Sequence, residues 1–144
     1  MNKKTILLVE DNADDEILAI RALKKHSSKH EIRIARSGEE AMEQLFNDQR
    51  KGGTSRKNPD LVLLDLKLPK MSGFEVLGHI RSREKTRFLP VIVLTTSRER
   101  KDILESYRLG ANSYIQKPVD YEQFSNSVKL LGDYWLLLNQ GPFE

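Results

Sequence analysis

The sequence predicts an α/β fold, a parallel sheet flanked by helices on both faces. Three observations predict it. Short β-branched apolar runs alternate with helical patterns along the chain, as βαβ units require. The runs at Thr5–Glu10, Leu61–Leu64 and Val91–Leu94 are nearly continuous in Val, Ile and Leu, which suits central strands buried on both faces. Polar residues then appear abruptly at the run ends, where open parallel sheets bind ligands.

The elements follow in order. Strand Thr5–Glu10 leads to a helix that Asp14 or Asp15 can cap, with Ile17, Leu18, Ile20 and Leu23 as its apolar residues. After strand Glu31–Ala35, Ser37 and Glu40 form a capping-box pattern ahead of Ala41, Met42, Leu45 and Phe46. A polar, basic stretch at 50–58 reads as a surface loop. Strand Leu61–Leu64 precedes a second capping box, Ser72 with Glu75, ahead of Val76, Leu77 and Ile80. A fourth helix from about Arg100 to Leu109 follows strand Val91–Leu94, and Gly110 is its stop. Strand Ser113–Gln116 comes next. Asp120 with Gln123 opens a long fifth helix reaching about Leu138.

A length of 144 residues suits one domain, placed at 1–138 with a short tail at 139–144. That tail is too short for an output or DNA-binding domain. The net charge is +3 and the pI near 9.1, but the basic residues are scattered. This reads as a solvated surface, with no nucleic-acid partner expected. No cysteine is present, which excludes disulfides, thiolate zinc sites and cysteine nucleophiles. No apolar run approaches the roughly 20 residues of a membrane span, and the apolar stretch after Lys4 is too short for an export signal. A cytoplasmic protein is expected.

The chemistry lies at the strand ends. The first strand ends in Glu10-Asp11, the third in Asp65, the fourth in Thr95 and the fifth in Gln116-Lys117-Pro118. In a parallel sheet these side chains converge. A like-charge pair at 4 Å costs roughly 4 kcal/mol at an effective dielectric near 20, and Lys117 can neutralise only one of Glu10, Asp11 and Asp65. A hard divalent cation resolves the conflict, and Mg2+ prefers these oxygen ligands and binds phosphate oxygens as well. A carboxylate beside Mg2+ can act as a nucleophile toward phosphorus. Lys117 and the Thr95 hydroxyl can then contact the transferring group. Taken singly, each residue has an ordinary structural use: an acidic pair caps helices, Thr is common in strands, and Lys-Pro marks turns. Their conjunction at four strand ends carries the reading.

These residues resemble the receiver domains of two-component response regulators. The resemblance is carried by Ile6-Leu7-Leu8-Val9-Glu10-Asp11-Asn12, by Asp60 to Pro69, by Met71-Ser72-Gly73, by Leu89 to Thr95 and by Gly110 to Pro118. It implies a flavodoxin-like doubly wound five-stranded parallel sheet in the order 2-1-3-4-5 with five helices. It implies Asp65 as phospho-acceptor, with a sensor histidine kinase as donor. Asp11 is then a direct Mg2+ ligand, Glu10 a ligand through water and the Lys67 backbone carbonyl another. Thr95 and Lys117 contact the phosphoryl oxygens, and Tyr114 is the aromatic switch that follows Thr95. A cis Lys117–Pro118 bond is also implied. Lys67 and Ser97 occupy positions that tune dephosphorylation in the family. Ser72 stands where aspartate is usual, and both residues cap a helix. The long loop and long C-terminal helix resemble the small response regulators of phytochrome-type kinases.

Other readings fit less well. A haloacid-dehalogenase-like phosphatase generally needs a second Asp two residues after its nucleophile, where this chain has Lys67. A nucleotide carrier needs a phosphate-cradling first loop, and Asp11-Asn12-Ala13-Asp14-Asp15 repels phosphate. The chain therefore reads as a signalling protein, not an enzyme acting on other substrates.

The fifth helix shows two apolar stripes. Phe124, Val128, Leu131, Trp135 and Leu138 form one that faces the sheet, and Leu130, Tyr134 and Leu137 form a second. The second stripe predicts a homodimer, and the resemblance implies that it pairs through the fourth helix, fifth strand and fifth helix, the face many receivers use. The alternative is that the tail Gly141-Pro142-Phe143 covers it.

Overall fold

The computed structural model describes residues 3–27, 29–47 and 57–142. Most of the basic loop, 50–56, and the tail residues 143–144 lie outside them.

The strands are β1 Thr5–Val9, β2 Glu31–Ala35, β3 Leu61–Leu64, β4 Val91–Thr95 and β5 Ser113–Gln116. The helices are α1 Ala13–Ser27, α2 Gly38–Phe46, α3 Gly73–Ser82, α4 Arg100–Arg108 and α5 Tyr121–Gly132, which runs on into a π-helical turn at Asp133–Leu138. The strands form one parallel sheet in the order β2-β1-β3-β4-β5. That is the expected doubly wound, flavodoxin-like order, with a topological switch between β1 and β3.

The period of two along a strand divides the core into two layers. Leu7, Val9, Val62, Leu64, Val91 and Val93 face Ala41, Leu45, Val76, Leu77 and Ile80 of α2 and α3. Ile6, Leu8, Leu61, Leu63, Ile92 and Leu94 face Ala19, Ala22 and Leu23 of α1 and Phe124, Val128 and Leu131 of α5. The continuous apolar runs therefore serve both faces.

Three helix starts match the expected caps. The Ser37 hydroxyl accepts from the Glu40 N–H, the Ser72 hydroxyl from Glu75 and the Asp120 carboxylate from Gln123. Gly110 ends α4 with φ 103°, a conformation that favours glycine.

The structure corrects four expectations. Asn12, rather than Asp14 or Asp15, caps α1: its Oδ1 accepts from the Asp15 N–H at 2.9 Å. Strand β1 ends at Val9, although the Glu10 N–H still donates to the Ala35 carbonyl at 3.0 Å. The Lys117–Pro118 bond is trans, the isomer that X–Pro bonds favour by about 0.5–1 kcal/mol. The inner stripe of the last helix breaks where the π turn inserts a residue. Phe124, Val128 and Leu131 are buried as expected, but the buried position in the last turn passes to Leu136, and Leu138 is 72% exposed.

At the far end of the sheet, Arg81 of α3 forms a clasp. Its guanidinium donates to the carbonyls of Gly110 at 2.8 Å and Leu89 at 2.7 Å, and to Asn112 Oδ1 at 2.8 Å. Asn112 Oδ1 also accepts from the Val91 N–H. A Cβ on Gly110 would lie 2.9 Å from the Arg81 side chain.

Candidate functional site

The sheet ladder positions the site. Strands β1, β3, β4 and β5 deliver polar residues at or just past their ends, still tied to the neighbouring strand. The Glu10 N–H donates to Ala35, the Asp65 N–H to Val9 at 3.1 Å and the Lys117 N–H to Thr95 at 2.7 Å. Carboxylates and ammonium are thus held by backbone hydrogen bonds that their own charge does not disturb.

Glu10, Asp11 and Asp65 each offer a carboxylate oxygen, and these oxygens lie within 4.8 Å of one another. Glu10 and Asp65 are buried and Asp11 is exposed. The Lys117 ammonium enters from the β5 side. It contacts Glu10 Oε1 most closely, then Asp15 Oδ2 at 3.0 Å and Asp65 Oδ2 at 3.5 Å. The Lys67 N–H donates to Asp65 Oδ1 at 3.3 Å, which leaves the Asp65 carboxylate polarised from two sides.

The charges do not balance. Four carboxylates meet one ammonium. Burial pushes the Glu10 carboxyl up to about 7, against the hydrogen bond from Lys117, and Asp65 adds to the rise. Burial alone would lower the Lys117 pKa, but the Glu10 hydrogen bond and the charges of Asp65 and Glu10 outweigh it and hold the ammonium above the ordinary lysine range. The two shifts agree physically: the lysine stays charged, and the crowding of negative charge is relieved at Glu10, which holds its proton more tightly than an ordinary carboxyl. All donors in the cluster are hard oxygens, and the negative surplus suits a divalent cation. The residues present therefore fit Mg2+.

Thr95 is fully buried at the end of β4. Its hydroxyl accepts a long 3.5 Å bond from the Ser97 N–H. Tyr114 reaches the same segment from β5, its hydroxyl donating to the Ser97 carbonyl at 3.0 Å. Burial raises the Tyr114 pKa, so the hydroxyl keeps its proton. Ser97 Oγ in turn bonds Asp102 Oδ2 of α4 at 2.6 Å. The structure thus brings Glu10, Asp11, Asp65 and Lys117 into one pocket and joins Thr95 to Tyr114 through Ser97.

Sequence reasoning missed two participants. Asp15 was expected only as a helix cap, yet it is a close partner of Lys117. Its signal was available: a carboxylate in the first turn of a helix that leaves the pocket directly. Gly73 was expected as part of a motif. Its role is steric, since a Cβ there would lie 2.3 Å from the Asp65 carbonyl oxygen.

Comparison with known proteins agrees with this geometry. The response regulator receiver domain family matches residues 6–129. The chain is 39% identical over 137 residues to a probable methanogenesis regulatory protein, FilR2, of Methanothrix harundinacea, covering 95% of this chain and 86% of that protein. It is 38% identical over 133 residues to response regulator Rcp1 of Synechocystis, covering 92% and 89%. Among solved structures it resembles the phosphorylated cyanobacterial phytochrome response regulator RcpA, with a TM-score of 0.89, 40% identity and coverage of 98% and 99%. It also resembles the Mn2+-bound form of Rcp1, with a TM-score of 0.84, 37% identity and coverage of 96% and 99%. With a parallel sheet in receiver order and an acidic pocket at its carboxyl edge, the chain belongs to the response regulator receiver domain family.

Proposed function

We propose that this chain is a response regulator that accepts a phosphoryl group on Asp65, in a Mg2+-dependent reaction, from a sensor histidine kinase. The contact of Lys117 with Asp65 and Glu10 in a surplus of carboxylates carries this reading. An Asp65 carboxylate oxygen attacks the phosphorus of a phosphohistidine. A P–O bond forms as the P–N bond breaks, and the electron pair stays on the imidazole nitrogen, which takes a proton. Asp11, Asp65 and the Lys67 carbonyl would hold Mg2+ directly and Glu10 would hold it through water, and the ion would supply positive charge beside the phosphoryl oxygens. Lys117 donates to a second phosphoryl oxygen and Thr95 to a third. Thr95 then draws on Ser97, and with it the Tyr114 hydroxyl, which changes the surface of α4 and β5.

The donor has to reach Asp65, so it docks on the surface around the pocket. Leu18 and Val119 border a small hollow beside Lys117, and both are exposed, as is the neighbouring Ile17. An apolar rim of this kind suits a protein partner. The likeness to RcpA, named as a phytochrome response regulator, favours a phytochrome-type kinase as that partner. Such a partner favours a cytoplasmic protein with one regulatory domain over 1–138.

Leu130, Tyr134 and Leu137 stay exposed beside a groove lined by Ile115, Leu131 and Trp135. Gly141 and Pro142 lie with Trp135 and Asn139 along a different cleft. A second copy of the chain suits the open stripe, and pairing through α4, β5 and α5 gives phosphorylation a surface to act on.

Incubation with acetyl phosphate and Mg2+, followed by intact mass, tests the acceptor. Wild type gains one phosphoryl group and Asp65→Asn gains none. An Asp65→Asn protein that gains an acid-stable, base-labile phosphoryl group at the wild-type rate overturns the assignment.

A further inference from the structure

Lys117 has three carboxylate partners, and they are not equivalent. Glu10 is the closest, Asp15 stands at 3.0 Å and Asp65, the proposed acceptor, is the most distant at 3.5 Å. The ammonium is therefore drawn toward Glu10 and α1. Exposure separates the partners too: the Asp15 side chain is 35% exposed, against 10% for Asp65.

We propose that Asp15 is a positioning residue that competes with Asp65 for the Lys117 ammonium and holds it back from the acceptor until a phosphoryl group arrives. The second half of this statement rests on the reading of Asp65 as phospho-acceptor; the first half does not. Asp15 is placed for the task by Asn12, whose Oδ1 accepts from the Asp15 N–H and fixes the first turn of α1. Its neighbour Asp14 points to solvent and makes no ion pair among the described residues. A partly hydrated carboxylate is the partner that releases an ammonium at least cost, because water takes over the vacated oxygen. Glu10 and Asp65 are buried and have no such exchange open to them. A dianionic phosphoryl group on Asp65 outbids a single carboxylate, and Lys117 then swings from Asp15 to the phosphoryl oxygens.

In the resting protein this contest decides how freely Asp65 can ligate a cation. With Asp15 in place, Lys117 is shared and Asp65 keeps most of its charge. Without it, the ammonium settles on Asp65 and opposes a cation there. The ordinary alternative is that Asp15 only complements the helix dipole. That role affects stability and leaves Lys117 out of account.

The test is a double-mutant cycle on the full chain, read as Mg2+ affinity by calorimetry and not as phosphorylation. Asp15→Asn weakens Mg2+ binding by roughly three- to tenfold, through the lost charge and the displaced ammonium together. In a Lys117→Met background the same change costs markedly less, because no ammonium is left to move. Asp15→Glu keeps the carboxylate and stays within about twofold of wild type. If Lys117→Met does not fold, Lys117→Gln takes its place in the cycle. Equal losses in the two backgrounds overturn the proposal, since Asp15 then acts as a distant charge alone; an unchanged Mg2+ affinity in Asp15→Asn overturns it as well. A wild type that gains no phosphoryl group defeats the acceptor reading, and the cycle still reports the contest for Lys117. A phosphorylated wild type with a fully additive cycle sinks the contest and leaves the acceptor reading standing.

Discussion

Gly73 lies so close beneath Asp65 that a Cβ on it would stand 2.3 Å from the Asp65 carbonyl oxygen and 2.6 Å from Leu66 Cα. The Gly73 N–H also donates to the Leu66 carbonyl at 2.9 Å. The start of α3 is thereby pressed against the loop that carries Asp65. Gly73→Ala forces the backbone apart and is expected to cost about 1–3 kcal/mol of stability. Phosphorylation by acetyl phosphate should slow with it, because the loop carries Asp65. Urea unfolding measures the first effect, and a variant as stable as wild type contradicts the close packing.

Asp11 is the exposed member of the carboxylate cluster and makes no ion pair with Lys117 among the described residues. Its charge is the one most available to a cation. Asp11→Asn is expected to weaken Mg2+ binding on the order of tenfold or more, with little change in folding. Calorimetric titration decides it, and equal affinities in mutant and wild type rule out the pocket as drawn.

Glu10 gives a pH dependence with a definite sign. Its folded-state pKa, near 7, lies above the ordinary glutamate value of 4.5. Between those values the folded protein holds more protons than the unfolded chain. The Glu10 contribution to stability without Mg2+ therefore falls as pH rises through that window, while His30, whose pKa burial lowers, contributes with the opposite sign. Mg2+ binding strengthens over the same range, because a protonated Glu10 is a poor partner for a cation. Unfolding in chelator at several pH values tests this, and Glu10→Gln should flatten the profile. A Mg2+-free wild type that gains stability relative to Glu10→Gln from about pH 5 to about pH 7 reverses the sign and defeats the argument.

The Tyr114 hydroxyl bond to the Ser97 carbonyl ties β5 to the segment after Thr95. Tyr114→Phe removes the donor and keeps the ring. The expected loss is about 0.5–1.5 kcal/mol, with phosphorylation of Asp65 retained. Denaturant midpoints and intact mass, measured side by side, separate the two. A loss of phosphorylation in this variant would place Tyr114 in the chemistry and not in its transmission.

The exposed stripe of α5 and the π turn predicts association. Wild type is expected to dimerise at micromolar concentrations, and Leu130→Glu with Leu137→Glu to remain folded and monomeric. Sedimentation at several concentrations is the measurement. A wild type that stays monomeric at high micromolar concentration, phosphorylated or not, leaves the stripe without this role, and so does a folded double mutant that dimerises as its parent does.

Much of this molecule is legible in its sequence. Central strands β1, β3 and β4 announce themselves because burial on both faces demands unbroken apolar runs, and the polar residues that end them mark the site. Ser37, Ser72 and Asp120 announce helix starts because each has one clear cap position. The start of α1 is harder: Asn12, Asp14 and Asp15 are all cap-forming residues, and only the backbone decides among them. The π turn is silent, since Phe124, Val128, Leu131, Trp135 and Leu138 fit an unbroken α-helix equally well. Nor does Lys117-Pro118 reveal its isomer. The contact of Asp15 with Lys117 is hidden for a different reason, because an acidic residue at a helix start already has an explanation as a cap.

The Arg81 clasp at the opposite end of the sheet handles charge in another way. Its guanidinium is satisfied by carbonyl and amide oxygens, with no carboxylate among its partners in the described residues. A cation held by neutral dipoles has no counter-ion for salt to screen and no titrating neighbour for pH to switch. Ionic strength and acidity that reset the Asp65 pocket should therefore leave the Gly110–Asn112 joint unchanged. One sheet thus carries a charged rim and a neutralised one, and its strands are anchored at the end away from the Asp65 pocket.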